Sequence, residues 1–117
     1  MQKGHLPLSD KMLELVAHLF RMMGDATRLR ILQCLETGRK SVNQITQQLA
    51  GSQPNISKHL QALHDAGWLS RQREGNNIFY SIADPTIFKL CDLVCHSATE
   101  NVRANYSELL GQVQKRG

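Results

Sequence analysis

The sequence predicts a mainly α-helical fold, with five helices and one two-stranded β-hairpin in a single domain over residues 1–117. Three observations predict it. Apolar residues recur at three-four spacing near both ends of the chain, from Leu8 to Met23 and from Ile87 to Val113. Between Ser41 and Ala66, two short helical patterns with strong start signals are separated only by Ala50-Gly51. After Gly67 the period changes from 3.6 to 2 on either side of a Gly-Asn turn.

Pro7 and Ser9 open the first helix, about residues 8–23, with Leu8, Met12, Leu15, Val16, Leu19 and Met23 on one stripe. Leu13 and Phe20 widen that stripe, so this helix is expected to touch more than one neighbour. Gly24 ends it, and Asp25 caps a second helix from Ala26 to Glu36. There Leu29, Ile31, Leu32 and Leu35 should face the core, with Cys34 beside them, before Thr37-Gly38 stops the helix.

The third helix starts with a capping box, in which the Ser41 hydroxyl and the Gln44 amide satisfy each other's backbone donors. Val42, Ile45 and Leu49 form its apolar side. The fourth is capped by Ser52, tolerates Pro54 in its first turn, and is ended by Gly67 in a left-handed conformation. Ile56, Leu60 and Leu63 make its apolar stripe; at about 100° per residue, Asn55, Ser57, Lys58, Gln61 and Ala62 point elsewhere. That second face combines a cation with short side chains that donate and accept, the chemistry that reads base edges and phosphates. Residues 41–66 therefore match a helix-turn-helix unit.

Two strands follow, Trp68–Arg73 and Ile78–Ile82, joined by Glu74-Gly75-Asn76-Asn77, where Gly and Asn tolerate positive φ. Trp68 and Tyr80 are expected to pack this hairpin onto the helices. A hairpin directly after a helix-turn-helix is a wing, about residues 69–82, whose Arg71, Arg73, Asn76 and Asn77 can reach phosphates or the minor groove. His59 flanks the polar face of the fourth helix, within reach of a phosphate, and Ser52 lies at that helix's start.

Asp84 caps the last helix and Pro85 takes its first position, with the helix continuing to about residue 114. Ile87, Cys91, Val94, Ala98, Val102, Tyr106, Leu109 and Val113 keep one stripe along it. A helix this long on a small domain cannot bury all of that surface within its own chain. With the first helix it is expected to form a homodimer interface, placing two recognition helices about 34 Å apart, one turn of DNA.

Composition narrows the function classes. A net charge of +4 suits a polyanionic partner, here double-stranded operator DNA. No apolar run approaches the roughly 18 residues of a membrane span, and the start of the chain lacks the apolar core of a secretory signal, so a cytoplasmic protein is expected. Three cysteines fit no secreted disulfide framework and are read as reduced thiols. A winged-helix module that binds protein would present an apolar or acidic face on residues 52–66, where this chain is polar and basic. Against a small thiol enzyme, the sequence has no Cys-x-x-Cys, no nucleotide loop and little room for a pocket, and its Asp and Glu residues form no paired acid/base constellation. No catalytic residue is expected.

Three phrases, in order, resemble the ArsR/SmtB-type bacterial repressors. They are Gly24-Asp25-Ala26-Thr27-Arg28-Leu29-Arg30-Ile31-Leu32, then Ser52-Gln53-Pro54-Asn55-Ile56-Ser57-Lys58-His59-Leu60, then Arg73-Glu74-Gly75 leading into Phe79-Tyr80. The resemblance runs from about Leu19 to Cys95. It implies a winged helix-turn-helix homodimer that represses its operator and releases it when an effector binds. It also implies that Gln53, Asn55, Ser57 and Lys58 lie at the DNA surface.

The effector patterns of that family are not matched here. The arsenic-sensing form has Cys-x-Cys at the start of the third helix, where this chain has Lys40-Ser41-Val42-Asn43-Gln44. The zinc-sensing form has Asp-x-His early in the last helix and a His pair or His-x-x-Glu later; here Asp84 is followed by Thr86, and the later positions are Ser97 and Glu100, with His96 one residue off. Cys91 and Cys95, four apart on one helix, offer another route. Two adjacent thiolates can bind As(III), Cu(I), Zn(II) or Cd(II), with a third ligand from Cys34, His96 or a partner chain. Related sulfide and oxidant sensors place one thiol on each of the second and last helices, which implies the alternative of Cys34 pairing with Cys91 or Cys95. The plain alternative is that the cysteines serve as small buried hydrophobes.

Overall fold

Capping residues set where the helices begin. Ser9, Asp25, Ser41 and Ser52 each accept a backbone N–H from the first turn that follows, satisfying a donor the helix itself leaves free. The computed structural model describes residues 8–116 and divides into two compact units, Met1–Asp84 and Pro85–Gly117. The first holds α1 (Asp10–Met23), α2 (Ala26–Cys34), β1 (Lys40–Ser41), α3 (Val42–Leu49), α4 (Gln53–Asp65), β2 (Leu69–Glu74) and β3 (Asn77–Ile82); the second is α5 (Thr86–Arg116). Pro7, read as opening the first helix, and His5 lie outside the described residues, as do the side chains of Tyr106, Leu109 and Val113 on the last stripe.

The core of the first unit is the apolar stripe of each short helix turned inward. Ile31, Leu32 and Leu35 from the α2 region, Ile45 from α3, and Ile56, Leu60 and Leu63 from α4 are buried, with Leu69 and Tyr80 added by the strands. Leu29, expected in this core, is 41% exposed, because the inward arc of α2 falls on Ile31, Leu32 and Cys34. That helix also stops at Cys34 instead of Glu36. Its last turn tightens into a 3-10 turn, Leu35–Thr37, and Lys40 Nζ donates to the Cys34 carbonyl at 2.7 Å and to the Thr37 hydroxyl at 2.9 Å.

The two-stranded wing is present, and a third strand, β1, joins its sheet. Lys40–Ser41 pairs antiparallel with β3, Lys40 opposite Tyr80 and Ser41 opposite Phe79, giving the order β1-β3-β2. A two-residue strand carries no periodicity, and only the register reveals it. The Ser41–Gln44 capping box is present in full, so the same residue ends β1 and starts α3.

Of the Ala50-Gly51 pair that closes α3, Ala50 takes the left-handed conformation, at φ 51°. Gly51 is instead a close approach: a Cβ there would lie 3.1 Å from the Ile56 side chain. At the wing tip Gly75 has φ +63°, whereas Asn76 is not at positive φ, the pattern of a type II′ hairpin with Gly at its first central position.

α1 is amphipathic yet buries none of its residues in the chain, leaving Phe20 58% exposed and Leu13 and Leu15 similarly open. α5 begins at Thr86, one residue later than expected; Ile87 is buried, while Leu93, Val94 and Val102 are exposed. Among the described residues no helix is long and apolar enough to cross a membrane.

Leu60 is fully buried at the middle of the α4 stripe. Leu60→Ala is expected to destabilise the first unit by about 2–5 kcal/mol, through lost transfer energy and a residual cavity. Chemical denaturation would measure this, and a change within about 0.5 kcal/mol would mean that α4 is not anchored by its stripe.

Candidate nucleic-acid interface

Because Ile56, Leu60 and Leu63 turn one face of α4 inward, helical geometry turns Gln53, Asn55, Lys58 and Gln61 outward, and all four are exposed. Ser57 is half-buried at the edge of that face. The Ser52 hydroxyl is occupied in capping, accepting from the Asn55 backbone N–H at 3.4 Å. Pro54 lies in the first turn of this helix, whose N-terminus carries the positive end of its dipole.

The structure separates the expected site residues by whether their polar groups are already engaged. Gln61 Nε2 donates to Asp65 at 2.8 Å, and its Oε1 accepts from Arg71 Nη1 at 2.7 Å. This chain ties β2 to α4, so Gln61 and Arg71 brace the wing against the helix. His59 is half-buried, and its Nδ1 accepts from Arg28 Nε at 3.1 Å, so that nitrogen is already engaged. Arg28 in turn reaches Met22 Sδ at 3.3 Å, while its backbone N–H caps onto Asp25. By contrast, the side chains of Gln53, Asn55, Ser57, Lys58, Arg73, Asn76 and Asn77 make no hydrogen bond among the described residues.

Four of those free groups, Gln53, Ser57, Asn76 and Asn77, gather where three elements meet. A notch of about 140 Å³ is lined by Ser41, Val42 and Asn43 from the start of α3, Gln53 and Ser57 from α4, and Asn76, Asn77 and Ile78 from the wing. No charged residue lines it. Lys58 and Arg73 stand exposed outside that lining.

A second brace, which sequence reasoning missed, holds the wing tip. Arg39 makes a two-pronged ion pair with Glu74, Nη1 to Oε2 at 2.6 Å and Nη2 to Oε1 at 3.0 Å, and lies 4.3 Å over the Phe79 ring. Glu74 immediately precedes the Gly75-Asn76 turn. Thirty-five residues separate the partners, and neither lies in a periodic pattern, so only opposite charge at a turn hinted at the contact.

Burial and charge set the thiols. Burial pushes the Cys34 thiol above its ordinary value, partly offset by Lys40. Partial burial also raises Cys91, with Cys95 and Asp92 adding to the rise. Cys95 is exposed, and all three cysteines are unpaired. Among the described residues no group of three His, Cys, Asp or Glu side chains is placed to hold a metal ion.

Against known proteins, residues 25–70 match the family model described as "Bacterial regulatory protein, arsR family". The chain is 35% identical over 88 residues to the "Probable mercury resistance operon repressor" of Streptomyces lividans, covering 75% of this chain and 70% of that one. It superposes on the homodimeric winged helix-turn-helix DNA-binding domain of Mb0332 from Mycobacterium bovis with a TM-score of 0.70 and 30% identity, over 82% of this chain and 92% of that one. The AntR antimony-specific transcriptional repressor gives a TM-score of 0.73 at 27% identity, over 86% and 92% of the two chains.

The hydrogen bond from Arg39 lowers the pKa of Glu74. A carboxylate held below its ordinary value contributes stability above the ordinary range, and loses it as pH falls through the lowered value. Arg39→Ala should therefore return Glu74 to an ordinary carboxylate titration and remove this acid-sensitive hold on the wing tip. Side-chain carboxyl NMR across the acid range reads it; a Glu74 curve that does not move would refute the brace in solution.

Proposed function

The chain belongs to the arsR family of bacterial regulatory proteins, and from that premise we propose that it is a homodimeric, DNA-binding transcriptional repressor. In this reading α4 enters the major groove of operator DNA, with Gln53, Asn55, Ser57 and Lys58 facing base edges and phosphates, and the wing brings Arg73, Asn76 and Asn77 to the adjoining backbone or minor groove. Ser52 acts as the helix cap, and Gln61 and Arg71 act as a brace that sets the wing's distance from α4. The observation that carries the reading is the free hydrogen-bonding capacity of this face, beside neighbours whose polar groups are engaged. The exposed apolar faces of α1 and α5 support pairing of two copies, as does the homodimeric Mycobacterium bovis domain.

The effector is proposed to be a soft metal or metalloid ion taken up by Cys91 and Cys95. Two thiols four apart on α5 share one face, and two relatives are named for mercury and antimony. The pair suits an ion content with two sulfur ligands; a three-coordinate ion such as As(III) needs a third from beyond the pair, because the described residues of one chain hold no three-ligand cluster. Burial raises the Cys91 pKa, so an ion bound there must displace the thiol proton.

Lys58→Ala is expected to weaken DNA binding and flatten its salt dependence, because a lost phosphate contact releases one counterion fewer. Binding isotherms across a salt series measure both; an unchanged slope would remove Lys58 from the backbone. Cys91→Ser should keep DNA affinity while losing release by mercury(II), antimony(III) or arsenic(III). A variant that still leaves DNA with each of those ions would sink the thiol site.

A further inference from the structure

We propose that Asn43 grips a phosphate of the DNA backbone together with Ser57 and Asn77, in the uncharged notch enclosed by α3, α4 and the wing. The inference rests on the reading that α4 lies in the major groove. A phosphate oxygen only accepts hydrogen bonds, so a site for it must offer donors. The notch offers amide N–H₂ groups from Asn43 and Asn77 and a hydroxyl from Ser57. None of these side chains has a hydrogen-bond partner among the described residues, so each amide is free to turn its donors inward.

The surroundings favour the same ligand. Ser41 and Val42, the cap and first residue of α3, also line the notch, so the positive end of that helix lies at its wall. In a helix-turn-helix the first helix crosses the sugar-phosphate backbone while the second enters the groove. Asn43 occupies the second position of α3, on that crossing edge. The braces at Arg39–Glu74 and Arg71–Gln61 hold the third wall, the wing tip, in place.

An uncharged grip differs from a cationic one in a measurable way. A lysine on a phosphate releases counterions, and its removal changes the salt slope; neutral donors release none, and their removal lowers affinity equally at every salt concentration. The probe is a duplex that the wild-type protein selects from a random-sequence pool. Affinities of wild type, Asn43→Ala, Asn43→Asp and Lys58→Ala are measured on it across a salt series, alongside thermal unfolding. Asn43→Ala should bind about tenfold more weakly with the slope unchanged. Asn43→Asp should bind more weakly still, since a carboxylate repels phosphate. Its thermal stability should hold or rise, because a negative charge in a first turn complements the helix dipole.

If both Asn43 variants bind as wild type while Lys58→Ala is weakened, the notch is overturned and the reading of α4 stands. Loss of stability in Asn43→Asp in step with its binding would make Asn43 a structural residue and overturn the proposal. A changed salt slope for Asn43→Ala overturns it too. If no duplex is selected, or Lys58→Ala is indistinguishable from wild type, the underlying placement of α4 fails with it.

Discussion

Burial of three side chains on one helix governs the rest of this protein. Ile56, Leu60 and Leu63 are each essentially inaccessible to solvent, and their spacing leaves α4 only one way to lie on the core. With that face inward, rotation of the helix is decided, and its polar residues have no choice but to face out. Ser52 caps one end, and Gly51 leaves room for the Ile56 side chain beside it. A helix held by packing and capped at its start presents its outer face with little freedom to lose, which is what a surface that binds a rigid polymer requires.

The second layer of order is electrostatic and exposed. Arg39–Glu74 and Arg71–Gln61–Asp65 lie at the surface, where an isolated pair contributes little to global stability. Their geometric effect is local. Each connects the wing to a neighbouring segment, one joining its tip to Arg39 and one joining β2 to α4. The polar groups divide accordingly: the braces spend their hydrogen bonds inside the protein, while Asn43, Ser57 and Asn77 in the notch make none among the described residues.

The two ends of the chain carry apolar surface that the chain itself leaves open. α1 buries no residue, and Leu93 on α5 is 71% exposed. Such faces are costly in water unless something covers them, and the proposed second copy is the occupant that also explains why a DNA-reading unit would be duplicated. Cys91 and Cys95 sit on that same long helix, so an ion bound there would act on the element proposed to pair the two copies, not on the reading face.

What the sequence determined by itself was everything encoded in local periodicity and capping. The stripes of α3 and α4, the capping box at Ser41 and the change to period 2 after Gly67 are properties of neighbouring residues, and the family phrases fall on those same stretches. Tertiary structure alone decided what depends on residues distant in sequence. Lys40–Ser41 became a strand only because β3 lies beside it, and Leu29 lost its place in the core to the packing of Ile31 and Leu32. His59, Gln61 and Arg71, equivalent to their free neighbours in a linear reading, were taken up by Arg28, Asp65 and each other, because side-chain hydrogen bonding answers to distance in space. Asn43 drew no notice in a short amphipathic helix, and it gained meaning only when folding set it beside Ser57 and Asn77 in one notch.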